Sequence, residues 1–353
     1  SFTVSTTKLM KKFTTFVLRL NKDELNNTIA TVTYDYDALM TEFQDLVGQL
    51  MSKGTTNGPK ITAIVEKYLG KGKPGYSNEL RISSYEAIDI IKKAGFDGLD
   101  LFFRRMDDEK CNNFPKTAEK HRQMLEKHGL ECCQVHLPYH DLLLSSEITD
   151  EQKDKNIIAV LNSMDILGAK WGAYHPRSSK NTGYNKKQEM MDNIAEISKY
   201  LEVAEKKNVG IAIENIPIFP DCPQYRFFCA DYEDHIELVD SFKSDNVGIC
   251  LDVGHLNLTL YDMEKVIEKM GDRIKILHLH NNFRTGDMHI TPAEGTVNWD
   301  KVMPALKRAG YKGDVSLEIN FDANFALKET MPSLMAHLAD CASVLIDKFN
   351  SCK

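Results

Sequence analysis

From residue 81 onward, short runs of apolar and often β-branched residues alternate with stretches in which apolar positions recur every three or four residues. The first pattern suits a buried strand and the second an amphipathic helix, so the alternation predicts βα units around a parallel sheet. A helix is expected from Ser84 (Tyr85 to Ala94, with Ala87, Ile88 and Ile91 on one stripe), stopped by Gly95. Strand 96–102 follows, then helix 116–128 closed by Gly129, strand 130–136, helix 150–167 closed by Gly168, and strand 170–175. Helix 187–207 leads to strand 209–214, helix 231–242 to strand 247–252, helix 261–270 to strand 273–280, and helix 299–309 to strand 312–318; helix 328–349 ends the pattern.

This pattern predicts an α/β fold, a (β/α)8 TIM barrel over residues 81–353, short of one strand. The missing strand is expected upstream, at Phe2 to Thr6 or at Phe13 to Leu20. Helices are also expected near 37–52 and 59–69, with a Gly/Lys/Pro-rich joint at 70–76. Residues 1–80 are thus expected to carry the first strand plus either an insertion in the first βα loop, acting as a lid on the catalytic face, or a small appended subdomain.

Candidate chemistry sits at the last residues of the predicted strands. Along a strand, side chains alternate between faces. Glu214 therefore shares a face with Gly210 and Ala212, Asp252 with Gly248 and Cys250, and Glu318 with Ser316, while the bulky Val, Ile and Leu residues take the opposite face. The bulky face is the one helices would cover, so the three carboxylates are expected to point into the barrel mouth. Three converging carboxylates need a compensating cation. His280, at the end of its predicted strand, supplies an imidazole, and the set Glu214, Asp252, His280 and Glu318 suits one divalent ion: Mn2+ first, with Mg2+, Co2+ or Zn2+ also fitting.

His136, His175, His255, Asp287 and His289 stand on the same rim, with His255 three residues past Asp252. His278 shares the inward face with His280 but is expected deeper, in the core or beneath the ligands. His121, His128, His140, His235 and His337 are expected in packed or solvated structural roles, and Arg177-Ser178-Ser179 in a solvated loop, with anion contact as the alternative.

Composition narrows the class. Of 353 residues, 42% are hydrophobic and 27% charged, ordinary values for a globular protein, and the net charge of -7 disfavours nucleic acid as a partner. The eight cysteines form no CxxC pair, which fits free thiols in a reducing cytoplasm. No window approaches the roughly 18 apolar residues of a membrane span. A cytoplasmic enzyme is expected.

The segments AGFDGLDL (94–101), HLPY (136–139), IAIEN (211–215), VGICLDVGHLNL (247–258), IKILHLHNN (274–282), GDMHITPAEGTVNW (286–299) and GYKGDVSLEIN (310–320), in this order and spacing, resemble the xylose-isomerase-like barrel superfamily. The resemblance implies a metal held by Glu214, Asp252, His280 and Glu318, with Glu214 and Glu318 as the acid/base pair, and His136, His175, His255, Arg284, Asp287 and His289 toward the substrate. It implies an isomerase or epimerase of a sugar or sugar derivative, which removes a proton next to a carbonyl held by the metal. The alternatives in the same superfamily are a lyase, either a keto-inositol dehydratase or a C-glycoside-cleaving enzyme with a small partner subunit, and an endonuclease-four type apurinic endonuclease. That endonuclease branch uses nine ligands for three zinc ions, matched here by His136, His175, Glu214, Asp252, His255, His280, Asp287, His289 and Glu318. A non-catalytic sugar-binding barrel is the bland alternative, and a homo-oligomer is compatible with all of them.

Overall fold

The computed structural model describes residues 84–103, 106–138, 150–178, 184–218, 226–319 and 328–351. Both candidates for the upstream strand, the helices expected near 37–52 and 59–69, the joint at 70–76, His140 and Ser179 lie outside these residues.

Helix α1 (Ser84–Ala94) leads to β1 (Gly98–Phe102), α2 (Asp108–His128) to β2 (Glu131–His136), and α3 (Asp150–Leu161) with α4 (Met164–Leu167) to β3 (Trp171–Tyr174). Next come α5 (Lys186–Lys207), β4 (Gly210–Glu214), α6 (Tyr232–Ser241), β5 (Val247–Asp252), α7 (Val253–Leu258), α8 (Met263–Met270) and β6 (Ile274–His278). Helices α9 (Trp299–Arg308) and α10 (Met331–Asn350) complete the order. The strands form one parallel sheet in the order β1-β2-β3-β4-β5-β6. Neighbours in sequence are neighbours in the sheet, the winding of a barrel wall.

The expected elements differ from the observed ones where tertiary contacts outweigh local signals. Helix α2 begins eight residues before the expected 116–128, because Asp107 caps it by accepting from Lys110 N at 2.8 Å. It runs through Pro115, with Phe114, Ala118 and Leu125 buried on one face. The interior proline costs about 3 kcal/mol, which the burial of Phe114 and Leu125, roughly 2 kcal/mol each, offsets. The expected helix 150–167 breaks between Leu161 and Met164, where Ser163 Oγ donates back to Ala159 O. Helix α7 is unexpected: all six of its residues are buried, so it shows no amphipathic stripe. The expected strand 312–318 is reduced to one parallel bridge, Leu279 to Leu317, and the Tyr311 hydroxyl donates to the Asp314 carbonyl just before it.

The two faces of the sheet divide as alternation requires. Ile211, Ile213, Ile249, Leu251 and Leu277 pack outward in one core with Leu238, Val266, Ile267 and Val302 of the helices. Ala173, Ala212, Cys250 and Ile276 form a separate interior group, with Trp171 against it. Among the described residues, no helix is long and apolar enough to cross a membrane.

Candidate metal centre at the strand ends

One pleat above the layer of Ala173, Ala212, Cys250 and Ile276 come His175, Glu214, Asp252 and His278. Register aligns them: Glu214 pairs with Cys250, Cys250 with Ile276, and Asp252 with His278. Glu318 joins from the bridge at Leu317, its N–H donating to Leu279 O at 3.0 Å. Glu214, Asp252, His278 and Glu318 each place a donor atom within 4.8 Å of the others. His278 Nδ1 lies 3.3 Å from Glu214 Oε2 and 3.1 Å from Glu318 Oε2.

His280, expected in that group, stands elsewhere. Strand β6 ends at His278, and Asn281 pairs antiparallel with Ile290, so the chain has already turned where His280 sits. His280 Nε2 lies 3.0 Å from Asp252 Oδ1, and its ring stacks on His289 with centroids 3.8 Å apart. It forms a second group with His255, Asp287 and His289, in which Asp287 Oδ2 is 3.2 Å from His255 Nε2 and 3.1 Å from His289 Nε2. His136, His175 and Glu214 form a third: His175 Nε2 lies 3.2 Å from His136 Nε2 and 3.1 Å from Glu214 Oε2. Glu214 thus belongs to the first and the third, and also to a smaller group with Cys250 and His278.

Burial and charge pull against each other throughout the mouth. Burial pushes the Glu214 and Glu318 carboxyls up, but the imidazoles of His278, His175 and His289 outweigh it and hold both well below the usual range. Asp287 is likewise held down, against burial, by His255 and His289. Burial disfavours charge on His255 and His278, yet Asp252 and Asp287 around the one, and Glu214 and Glu318 around the other, raise them well above the usual imidazole value. His289 rises to about 9 by the same balance, with Asp287 and Glu318 overcoming burial. His136 is lowered by burial.

Neighbouring polar groups hold this arrangement. Asn215 extends the β4–β5 ladder with its side chain, accepting from Asp252 N and donating to Asp252 O, both at 2.8 Å. Asp252 also caps α7, accepting from His255 N at 2.6 Å, and His255 Nδ1 lies 2.7 Å from Asn215 O. A Cβ built on Gly254 would fall within the His280 ring, so glycine is required there. His235, on α6, is buried and donates from Nε2 to Ile213 O at 2.9 Å, tying that helix to β4.

Arg284 and His289 both adopt the left-handed region, at φ +62° and +47°. Arg284 Nε donates to Asn257 Oδ1 at 3.1 Å, which ties this exposed residue to α7. Arg177 is exposed, with Nη1 3.6 Å from Glu196 Oε2, and Ser178 Oγ accepts from Phe228 N. The sequence reading missed Asp100, Gln134 and Asn215. Asp100 and Gln134 sit mid-strand on inward faces, where period-two alternation alone points to them, and Asn215 directly follows a strand-end glutamate.

An inosose isomerase of Bacillus velezensis is 24% identical over 250 residues, covering 66% of this chain and 81% of that protein. A D-psicose 3-epimerase of Enterocloster bolteae is 28% identical over 168 residues, 46% of this chain and 52% of that protein, so this chain spans about half the epimerase. Among solved structures, a D-tagatose 3-epimerase-like protein superposes with a TM-score of 0.59 at 23% identity, covering 76% of this chain and 97% of that one. The IolI protein with a bound zinc atom superposes at 0.56 and 18% identity, covering 77% and 95%. At these identities the superpositions speak for the fold. The xylose isomerase-like TIM barrel family matches residues 88–341, nearly all of the described barrel wall, and the chain belongs to that family.

Proposed function

We propose that the protein is a metal-dependent isomerase or epimerase of a sugar or sugar derivative, with one divalent ion held by Glu214, Asp252, His278 and Glu318. The observation that carries the reading is a pair of buried atoms. His278 Nδ1 and Glu318 Oε2 lie 3.1 Å apart, and neither has a hydrogen-bond partner among the described residues. Two further carboxylates, Glu214 and Asp252, complete the group. Ionised carboxylates about 4 Å apart repel by roughly 4 kcal/mol per pair at an effective dielectric of 20, and His278 is the one imidazole within the group itself. A cation among these donors satisfies both the charge and the unused lone pairs, so the residues fit the ion. Three oxygen donors with one nitrogen favour Mn2+, with Mg2+, Co2+ or Zn2+ as alternatives.

When bound, the ion supplies Lewis-acid polarisation of a substrate carbonyl and stabilises charge that develops on oxygen. The chain does the rest. Glu214 and Glu318 are held ionised, so either can accept a proton from the carbon beside the carbonyl, and a protonated carboxyl can return it. His136, His175, His255, Asp287 and His289 surround the group with donors and acceptors of the kind that bind sugar hydroxyls. The isomerase and epimerase names of the relatives support the same reading. The test is exchange of solvent deuterium into a ketose or keto-inositol. Glu214→Gln and Glu318→Gln are each expected to slow it by about 10²- to 10⁴-fold, and wild-type exchange in both variants would sink the proposal.

A second reading is favoured by the four adjoining groups of ligand-type side chains, three of which share Glu214. Three ions there would suit hydrolysis of a phosphodiester, as in the endonuclease-four branch. Elemental analysis separates the two readings: one ion per chain supports the isomerase, three the hydrolase.

A further inference from the structure

We infer that Asp100 is a positioning residue that fixes the tautomer and orientation of His278, an inference that rests on the proposed ion at Glu214, Asp252, His278 and Glu318. Asp100 projects from β1 across the barrel interior, and its Oδ2 lies 3.2 Å from His278 Nε2. A carboxylate oxygen only accepts, so Nε2 is the nitrogen that carries hydrogen. In the neutral ring the lone pair then falls on Nδ1, which faces Glu214 and Glu318 and has no hydrogen-bond partner among the described residues. When a cation is bound the ring is neutral, and that lone pair is a ligand. A carboxylate on the far nitrogen of a ligating histidine orients the ring and raises its basicity.

Asp100 is itself held in place. Gln134 Nε2 donates to Asp100 Oδ2 at 2.7 Å and to Leu277 O, the carbonyl just before His278, at 3.3 Å. His136 stacks on the His278 ring from one side, with centroids 5.1 Å apart and planes at 29°. Asp100 Oδ1 is buried with no hydrogen-bond partner among the described residues. A carboxylate kept there at the expense of an unsatisfied oxygen is not explained by packing, and its contact with His278 supplies the reason.

The experiment measures zinc affinity of chelator-stripped protein by competition with a chromophoric chelator, beside the melting midpoint of the stripped form. Asp100→Ala is expected to bind zinc 10- to 100-fold more weakly, with Asp100→Asn between it and wild type and stripped-form midpoints not lowered. Wild-type affinity in Asp100→Ala overturns the inference. If that variant fails to fold, Gln134→Met decides in the same way, because it removes the donor that orients Asp100: weaker zinc binding supports the inference and unchanged binding overturns it. His278→Ala distinguishes the levels. If zinc binding falls in His278→Ala but not in the Asp100 variants, the ion site stands and the positioning role fails; if His278→Ala also binds as wild type, the ion site itself fails.

Discussion

At the scale of single residues, the sharpest constraint is steric. Gly254 has no Cβ, and the space a Cβ would take is filled by the His280 ring. Gly254→Ala is therefore expected to push His280 off Asp252 and His289, at about 1–3 kcal/mol in urea unfolding; an unchanged midpoint and slope would count against this packing. The carboxylates were legible residue by residue. Glu214, Asp252 and Glu318 each share a face with small or polar neighbours and oppose a bulky apolar face, so alternation alone aims them inward. The histidine was not legible in that way, because His278 and His280 have the same parity. Asp100 was hidden by the same limit: a lone mid-strand aspartate looks like any other until the residue across the barrel is known.

At the scale of elements, α6 is coupled to β4 through one buried histidine. His235 Nε2 donates to Ile213 O, its Nδ1 has no hydrogen-bond partner among the described residues, and burial pushes the imidazole down to about 4. An unfolded histidine titrates near 6.5. Because the folded value is the lower one, the unfolded chain binds the extra proton first. The contribution is full above about pH 6.5 and is lost as pH falls toward 4, up to roughly 3 kcal/mol. Relative to His235→Gln, the wild type should lose on the order of 2–3 kcal/mol more unfolding free energy between pH 7 and pH 4.5, measured by denaturant titration. Parallel losses would show that His235 is not the group responsible. Element boundaries failed in the sequence reading where burial was complete or a cap was decisive. Helix α7 lacks a polar face, and α2 starts at Asp107, a cap that precedes no obvious apolar repeat.

At the scale of the whole molecule, an ion bound only by the folded state stabilises it by mass action. Free metal at 100 times its dissociation constant contributes about 2.7 kcal/mol, which for a barrel of this size shifts the melting midpoint by on the order of 5 °C. A chelator is expected to lower the midpoint by that much in the wild type and to leave Asp252→Ala unmoved. A wild-type midpoint insensitive to chelator would remove the basis for the ion.

The sequence by itself determined the barrel wall and the inward aim of three carboxylates, because both follow from local periodicities of 3.6 and 2 that need no knowledge of neighbours. Tertiary structure decided which imidazole joins them. That choice depends on the register of β5 against β6, which shifts between Ile249 and Cys250 and sets Asp252 opposite His278, and on the turn that pairs Asn281 with Ile290 and carries His280 away. Register between strands is a property of the assembled sheet, and no single strand's sequence contains it.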